Sequence, residues 1–353
     1  MTTESTRHLP ESALFTGRGT TALWALLQCL QGRGVSVLLP VNICEIVIPA
    51  IRHAGFQPLF HDVDPVSGNA TVENLRQAWR PGVAACLATH NFGTPLDMDA
   101  IKAWAREQEV FLIEDACNAL GATWNGAPVG SFGDAAIFSF GHAKIVEVGA
   151  GGALQVRDAA LRRKARGLLD SLPLFSPRHQ EADAAFQAVL RTLRQNPPAA
   201  RPEVYRALYA AYLPHLLFRP DGRLQEAIAR NLEGLDRNLA ERREKARLWR
   251  SLLDVPPLRQ RPEVAGDVYW RYTFLAPETV RDRLLAALRA KGIPASTWFP
   301  PVDRLFDGRR ASAGFPNAAR FAGQCLNVFV DRSMELAAIP AAAALIRKTL
   351  EQA

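Results

Sequence analysis

Three side chains of different chemistry lie at the ends of two apolar runs of this sequence. Asp115 closes the run at residues 110–115, Ser139 lies near the end of the next run, and Lys144 follows Ser139 by five residues. An acid, a hydroxyl and an amine are what a pyridoxal phosphate (PLP) site requires. The amine forms a Schiff base with the aldehyde, the acid holds a proton on the pyridine nitrogen, and the hydroxyl reaches the phosphate. The spacing therefore predicts a PLP site with Lys144 as the reacting amine.

Two further segments contain residue types that such a site uses. Gly19, Thr20 and Thr21 open the first predicted helix, where small residues and free amides attract a phosphate; the alternative is an ordinary helix cap. Asn118 follows Asp115 by three residues, so its amide can reach the phenolic oxygen of the cofactor. The alternative is a loop Asp–Asn pair that satisfies its own turn. Neither segment is specific alone, and the prediction depends on their combination.

The composition is that of an ordinary soluble globular protein of 353 residues. Hydrophobic residues make up 48% and charged residues 22%, and the apolar runs have strand length rather than the ~20 residues of a membrane span. The first seven residues lack the basic and apolar regions of a secretory signal. Five cysteines without a CxxC pair fit a reducing compartment and disfavour a structural zinc site. We therefore expect a cytoplasmic protein with no membrane partner.

The net charge of +7 admits two interpretations. Clustered basic residues would indicate nucleic-acid binding, but here they are mixed with acids along helical segments such as residues 237–250. We interpret them as solvated helix faces and expect no nucleic-acid partner. A basic surface would also suit an anionic substrate such as a nucleotide sugar.

Strand-like and helical patterns alternate through the first half of the chain. Continuous apolar runs predict strands, and apolar residues at helical spacing predict helices between them. This rhythm, with almost uninterrupted apolar strands, indicates an α/β fold with a mostly parallel sheet covered on both faces. The predicted strands are residues 35–39, 57–63, 84–89, 110–114, 135–140 and 152–157, and the predicted helices are residues 20–30, 43–54, 72–79 and 98–108.

The second half of the chain has a different organisation. Residues 158–217 are helical and interrupted by prolines, and the stretch at about 168–215 looks like a helical insertion. Residues 224–253 predict one long amphipathic helix. We place a large PLP-binding domain at residues 1–222 and a small C-terminal α+β domain at residues 223–353, which begins with that linking helix. Its other predicted elements are strands at residues 268–275 and 295–298 and helices at residues 279–291 and 334–350.

These motifs occur together, in the same order, in a known family. The chain resembles the DegT/DnrJ/StrS sugar aminotransferases, which have PLP fold type I. The family's motifs are a Gly-Thr helix start, Asp-Ala-x-x-Ala, Gly-Ser-Phe-Gly-Asp and Phe-Ser-Phe-x-x-x-Lys. The matching residues here are Gly19-Thr20, Asp115-Ala116, Gly130-Ser131-Phe132-Gly133-Asp134, and Phe138-Ser139-Phe140 with Lys144. The resemblance is close over about residues 12–160 and looser from residue 220 onward.

The resemblance implies a role for each matched residue. Lys144 would form the internal aldimine, Asp115 would pair with the pyridinium, and Asn118 would contact the ring oxygen. Members that dehydrate sugars have a His in place of the lysine, so Lys144 favours amino transfer. Members are typically homodimers with shared sites, which implies that Asp221 or Arg223 of the partner subunit completes the site. The phosphate would be held by Gly19, Thr20, Thr21 and Ser139.

Some positions depart from the family's pattern. Cys44 stands where an aromatic ring usually covers the cofactor, and it stacks less well than such a ring. Asp221 replaces an Asn and would repel a phosphate unless an arginine such as Arg223 pairs with it. The acceptor pocket would be built from residues 42–45, the inserted helices and residues 297–299. The candidate substrate contacts are His142, Trp298, Phe299 and Arg223, and the alternative for both aromatic residues is a place in the core.

Three functions are compatible with these observations. The first is PLP-dependent transfer of an amino group from an amino acid, with glutamate as the candidate donor, to a keto-sugar nucleotide or a related polar ketone. The second is elimination or desulfuration on the same fold, with Cys44 or Cys117 as a nucleophile; the alternative for both cysteines is a buried apolar side chain. The third is a non-catalytic regulatory homologue. Intact Asp115, Ser139 and Lys144 favour the first.

Overall fold

The computed structural model describes residues 8–195, 201–307 and 314–352. Strands and helices alternate at first, and helices then dominate. The strands are β1 (Leu14–Thr16), β2 (Ser36–Pro40), β3 (Gln57–His61), β4 (Val83–Thr89), β5 (Phe111–Asp115), β6 (Thr123–Trp124), β7 (Ala127–Pro128), β8 (Ala135–Ser139), β9 (Gly152–Val156), β10 (Arg259–Gln260), β11 (Tyr272–Leu275), β12 (Ala295–Ser296) and β13 (Cys325–Val328). The helices are α1 (Gly19–Cys29), α2 (Val47–His53), α3 (Val72–Ala78), α4 (Met98–Glu107), α5 (Ala159–Asp170), α6 (Pro177–Gln195), α7 (Pro202–Tyr212), α8 (Gly222–Glu233), α9 (Leu235–Leu252), α10 (Glu278–Ala290), α11 (Asp303–Phe306), α12 (Pro316–Gln324) and α13 (Ile339–Glu351).

Within the described ranges, seven strands form one sheet in the order β1-β9-β8-β5-β4-β2-β3. The pairs β2–β3, β2–β4, β4–β5 and β5–β8 are parallel, and β9 is antiparallel to both β8 and β1. The central strands are mostly apolar, which fits a sheet that is covered on both faces. Val37 and Leu39 pack on the face with α1, α2 and α5, whereas Leu38 packs on the face with α3 and α4. The predicted α/β fold with a mostly parallel sheet is confirmed.

Helix α2 begins later than the sequence predicts, at Val47 rather than at residue 43. Asn42 donates its side-chain amide to the carbonyl of Gly68, and its own carbonyl accepts from Asn91. These long-range hydrogen bonds hold the chain in an irregular path before α2, and this path follows the wall of the pocket described below.

The predicted single helix at residues 224–253 is wrong, because α8 and α9 are separate helices with Gly234 between them. Glycine has a low helix propensity and weakens a helix interior, which fits a break at this position. Two hydrophobic clusters share α9: Leu235 and Leu239 pack in a cluster with the main sheet, whereas Ala246 and Trp249 pack in the C-terminal cluster. The predicted domain division at residue 222 stays a prediction.

The predicted helical insertion contains α6 and α7, which pack beside α1 and α2. Phe186 and Leu190 of α6 and Tyr205 and Tyr209 of α7 are buried in the same hydrophobic cluster as α1. Helices α6 and α7 therefore extend the hydrophobic core on one face of the main sheet, and they lie next to the start of α1.

The C-terminal part contains a four-stranded sheet in the order β10-β11-β13-β12. Strand β13 was not predicted from the sequence, since a polar Asn327 interrupts its short apolar run. Asn327 is fully buried there, where its side chain accepts a hydrogen bond from Thr273 and donates to the carbonyl of Trp298. Among the described residues, no helix is long and apolar enough to cross a membrane.

Candidate active site

The predicted site residues meet at the carboxyl ends of three neighbouring strands. Thr89, Asp115 and Ser139 end β4, β5 and β8, and a cavity of about 330 Å³ opens between these ends and the start of α1. Parallel sheets commonly bind ligands at this edge. The lining includes Arg18, Gly19, Thr20, Cys44, Glu45, Asp115, Cys117, Asn118, Ser139, His142, Lys144, Asp183, Phe186, Leu190, Arg194, Tyr209, Tyr212 and Trp298.

Lys144 extends into this cavity from the connection after β8. Its Nζ atom donates to Oδ1 of Asn118 at 2.8 Å. The preceding residue, Ala143, has a left-handed φ of 58°, and its carbonyl accepts a hydrogen bond from the indole of Trp270 at 2.5 Å. Such a strained backbone persists only where its surroundings fix it. The connection thus holds the lysine amine in one place, beside the amide predicted to contact the cofactor ring.

Asp115 is 6% exposed and lies on the floor of the same cavity. Its Oδ1 accepts a hydrogen bond from the backbone amide of Cys117 at 3.1 Å. A buried carboxylate needs a partner, and a protonated pyridine nitrogen is a suitable one. Asp115 therefore lies in the cavity that the sequence predicts, and its pairing with a pyridine nitrogen stays a prediction.

The start of α1 forms a narrow cradle. A Cβ atom at Gly19 would lie 3.1 Å from both the Cys117 sulfur and the Ser139 Cβ, so a side chain fits there only if these neighbours shift. Arg18, at the N-cap, makes no capping hydrogen bond with its side chain, which leaves the first-turn amides for a ligand. These amides, with Thr20 and Ser139 in the lining, fit a phosphate.

Thr21 differs from the other cradle residues. Its hydroxyl is buried and donates to the carbonyl of Leu216 at 2.5 Å. Only its backbone amide, in the first turn of α1, is therefore positioned for a phosphate. The hydroxyl instead joins α1 to the short helical turn that follows α7.

Helices α6 and α7 form the wall that faces this cradle. Phe186 stacks on Tyr212 with ring centroids 3.8 Å apart and planes inclined by 7°, and it meets Tyr209 edge-on at 5.1 Å. The sequence predicts that the inserted helices help to build the pocket, and the structure places them there. Their individual contacts were not predicted, because nothing in the local sequence pairs α6 with α7.

Two carboxylates connect this wall to the rest of the pocket. Asp183 of α6 pairs with Arg18 at 3.1 Å and accepts the hydroxyl of Tyr212 at 2.5 Å. Burial raises the pKa of Asp183, but the Arg18 charge and the Tyr212 hydrogen bond outweigh it and hold the pKa below its usual range. The carboxylate therefore stays ionised at the edge of the cradle.

Glu45, in the irregular segment before α2, is the second carboxylate that contacts the wall of α6 and α7. Its Oε1 accepts from Arg194 Nη2 at 2.5 Å and from the hydroxyl of Tyr209. The sequence places residue 45 in the pocket but gives no indication of these two partners. These two contacts arise from the tertiary packing of α6 and α7 and have no counterpart in the local sequence around residue 45.

The cysteine thiols in the pocket are poor candidates for nucleophiles. Burial raises the pKa of Cys44 and, together with the neighbouring Asp115 charge, raises that of Cys117 well above its usual value. The thiolate is the reactive form. Cys44 lines the cavity where an aromatic ring was expected, and it contributes a small, uncharged surface.

The four candidate substrate residues occupy different places. His142 lies at the mouth, two-thirds exposed and between Glu147 and Asp183 at 3.6 and 3.9 Å. Trp298 lines the cavity, whereas Phe299 is 4% exposed and packs in the core against Phe92 and Trp270. The core alternative therefore describes Phe299, because its neighbours exclude it from the cavity.

Arg223 does not line the cavity of its own chain, and neither does Asp221. Asp221 caps α8 by accepting a hydrogen bond from the Leu224 amide at 2.8 Å. Arg223 follows in the first turn of this helix. A role for either residue in the partner's site stays a prediction.

The Gly-Ser-Phe-Gly-Asp motif supports the site from behind. The carboxylate of Glu114, next to Asp115, accepts hydrogen bonds from the amides of Gly130, Phe132 and Gly133 at 2.6–2.8 Å. His90 also contacts this carboxylate, since its Nε2 lies 3.3 Å from Oε2 of Glu114. The motif therefore fixes the end of β5, and with it the position of Asp115.

Comparison with known proteins identifies the family of this chain. The model of the DegT/DnrJ/EryC1/StrS aminotransferase family matches residues 8–188 and 222–346. The chain is 30% identical to the UDP-N-acetyl-3-dehydro-alpha-D-glucosamine 3-aminotransferase of Acidithiobacillus ferrooxidans, over 94% of this chain and 82% of the relative. It is also 30% identical to the dTDP-4-dehydro-2,3,6-trideoxy-D-glucose 4-aminotransferase of Saccharopolyspora spinosa, over 97% of this chain and 85% of the relative.

A solved structure shows the same fold. The aminotransferase TlmJ from Streptoalloteichus hindustanus superposes with a TM-score of 0.78 over 99% of this chain and 89% of that chain, at 23% identity. The predicted family and the predicted enzyme class are confirmed by the family match and the named relatives. The chain belongs to the DegT/DnrJ/EryC1/StrS aminotransferase family and is an aminotransferase.

Proposed function

We propose that this enzyme uses PLP to move an amino group from an amino acid, with glutamate as the expected donor, to a keto-sugar nucleotide or a related polar ketone. The observation that carries the proposal is the contact of Lys144 with Asn118 at 2.8 Å, in one cavity with Asp115 and the start of α1. The names of the two relatives above, each an aminotransferase of a nucleotide-linked keto sugar, support this class of acceptor.

Different residues of the cavity would bind different parts of PLP. The first-turn amides of α1, Thr20 and Ser139 would hold its phosphate, and Thr21 would contribute its backbone amide. Asp115 would hold a proton on the pyridine nitrogen, and Asn118 would contact the ring oxygen. Bound there, PLP supplies an aldehyde that condenses with amines and a ring that accepts electrons.

Lys144 is the proton carrier in this proposal. Its amine would take a proton from the donor's Cα and return it to the cofactor carbon, and the acceptor half would run these transfers in reverse. Asn118 holds the amine at its site between transfers. The aromatic wall of Phe186, Tyr209 and Tyr212 would keep water away from the reacting atoms.

We further propose a homodimer with shared sites. Asp221 and Arg223 at the start of α8 lie outside the cavity of their own chain. In a dimer, these residues of the partner subunit would approach the cradle, where Arg223 would offset the charge of Asp221.

The experiment follows the visible absorbance of the purified protein with PLP. We expect a band from cofactor linked to Lys144, which glutamate shifts without releasing ammonia or sulfide. Lys144→Ala should abolish the borohydride-trapped link, whereas Lys291→Ala, on the exposed end of α10, should retain it. Release of ammonia from glutamate, or of sulfide when L-cysteine is supplied in its place, would support elimination or desulfuration instead. Absence of any PLP band in the wild-type protein would support the regulatory alternative and remove the enzymatic ones.

A further inference from the structure

The pocket contains a cation that the proposed mechanism does not use. Arg194 is on α6, pairs with Glu45, and lies over the ring of Trp298 with its guanidinium carbon 5.6 Å from the ring centroid. We propose that Arg194 binds the α-carboxylate of the amino donor. This inference rests on the proposed aminotransfer from an amino acid.

An amino acid donor brings a negative charge next to the reacting carbon. A carboxylate that enters an apolar cavity without a partner is strongly disfavoured, so the pocket must supply a cation near the reacting amine. Of the described residues that line the cavity, Lys144 is the reacting amine itself. Arg18 adjoins the phosphate cradle and is paired with Asp183, and His142 is largely exposed at the mouth. Arg194 is the cation on the remaining side.

The position of Arg194 relative to the reacting amine follows from Cys44 and Glu45. Cys44, Glu45, Lys144 and Arg194 all line the same cavity, and Cys44 and Glu45 are neighbours in the chain. Arg194 Nη2 lies 2.5 Å beyond the Glu45 carboxylate. The guanidinium therefore faces the same cavity as the reacting amine, on its Glu45 side.

The chemistry of the group also fits. A guanidinium is a planar fork of N–H donors that matches a carboxylate, and it can hold one carboxylate at each of two edges. Glu45 occupies Nη2 and is itself fixed by the hydroxyl of Tyr209. Glu45 and the ring of Trp298 thus orient the fork before the donor arrives, which lowers the entropy lost on binding.

Arg194 lies in a segment that the family model does not match. The family match stops at residue 188 and resumes at residue 222, and both Arg194 and Tyr209 lie between these limits. The insertion therefore does more than cover the cradle: in this proposal it supplies the group that recognises the amino donor.

The direct test is calorimetric titration of the PLP-loaded enzyme with glutarate, a dicarboxylate that has no amine and cannot react. We expect Arg194→Gln to weaken glutarate binding about 10- to 100-fold, the range for loss of a charge-assisted hydrogen bond. Arg194→Lys should bind glutarate with an affinity between those of the wild type and Arg194→Gln. Arg191→Gln, on the exposed surface of the same helix, is the matched control and should bind as the wild type does. Equal binding by wild type and Arg194→Gln, or no binding by the wild type, overturns the proposal.

A second experiment assigns the carboxylate. Single-turnover reaction of the enzyme with L-glutamate is compared with that of L-alanine, whose only carboxylate is the α-carboxylate. Arg194→Gln should lower the apparent second-order rate constant by the same factor for both donors. A loss confined to glutamate would move Arg194 to the distal carboxylate and overturn the assignment. If the wild type reacts with neither donor, the proposed function fails, while glutarate binding still decides whether Arg194 holds a carboxylate.

Discussion

The amine of Lys144 and the side-chain carbonyl of Asn118 are joined by a hydrogen bond of 2.8 Å. Asn118 follows β5 and Lys144 follows β8, and these strands are parallel neighbours in the sheet. Residues 26 positions apart in sequence are thus brought together because both connections leave the same edge. The contact holds the amine at the cavity that Asp115 and the start of α1 also line.

Asn118→Ala should therefore slow the reaction of the PLP-loaded enzyme with its amino donor by up to about 10-fold, since a hydrogen bond contributes about 0.5–1.5 kcal/mol. Stopped-flow absorbance measures this rate. The variant should still link PLP to Lys144, because the amine itself is unchanged. An unaltered rate would mean that the connection after β8 positions the lysine without Asn118.

Glu114→Gln should destabilise the protein by about 3 kcal/mol at neutral pH, because three backbone amides and His90 would lose a buried carboxylate partner. Burial raises the pKa of Glu114, but these hydrogen bonds outweigh it and leave the pKa below the ordinary 4.5. A carboxyl whose pKa is lower in the folded state than in the unfolded state stabilises the fold. Its full contribution is present above the unfolded-state pKa of about 4.3, and the contribution is lost as the pH falls through the folded-state pKa.

Urea unfolding of wild type and variant tests this from neutral pH down to pH values below the ordinary pKa of glutamate. The difference in the free energy of unfolding should be constant near neutral pH and should shrink at the acidic end. A difference that is the same at every pH would show that packing, rather than the charge of Glu114, stabilises the end of β5.

Much of the candidate site could be predicted from local sequence, whereas the individual contacts of the wall formed by α6 and α7 could not. Asp115 and Ser139 end apolar strands, and parallel strand ends meet at one edge, so their proximity follows from pattern alone. Arg194 and Tyr209 reach Glu45 across 149 and 164 positions of the chain, and no local periodicity encodes such pairs.

Two of the errors in element boundaries have different physical causes. The residues before Val47 are apolar enough for a helix, but hydrogen bonds from Asn42 and Asn91 hold them out of one. The pattern over residues 224–253 continues across Gly234, so periodicity predicts one helix where the backbone forms two.

Replacing the pocket cysteines should leave the amino transfer intact. Because burial raises the pKa values of Cys44 and Cys117, neither thiol is a ready nucleophile near neutral pH. Cys44→Ala should react with the amino donor at a rate within a few-fold of the wild type, and both thiols should be alkylated slowly by iodoacetamide. Loss of activity in Cys44→Ala, with PLP still bound, would revive desulfuration or elimination chemistry at this site.

Phe186→Ala should loosen the wall that α6 and α7 form over the cradle. The ring is 6% exposed, stacks on Tyr212 and meets Tyr209 edge-on, so its removal leaves a cavity and should cost about 3 kcal/mol of unfolding free energy. Val189→Ala on the same helix is the control: this side chain is 47% exposed, and its loss should change stability by less than about 0.5 kcal/mol. Iodide quenching of PLP fluorescence should also increase in Phe186→Ala alone, because the wall excludes solvent from the cradle. Equal quenching in both variants would mean that α6 covers the outside of the domain without closing the site.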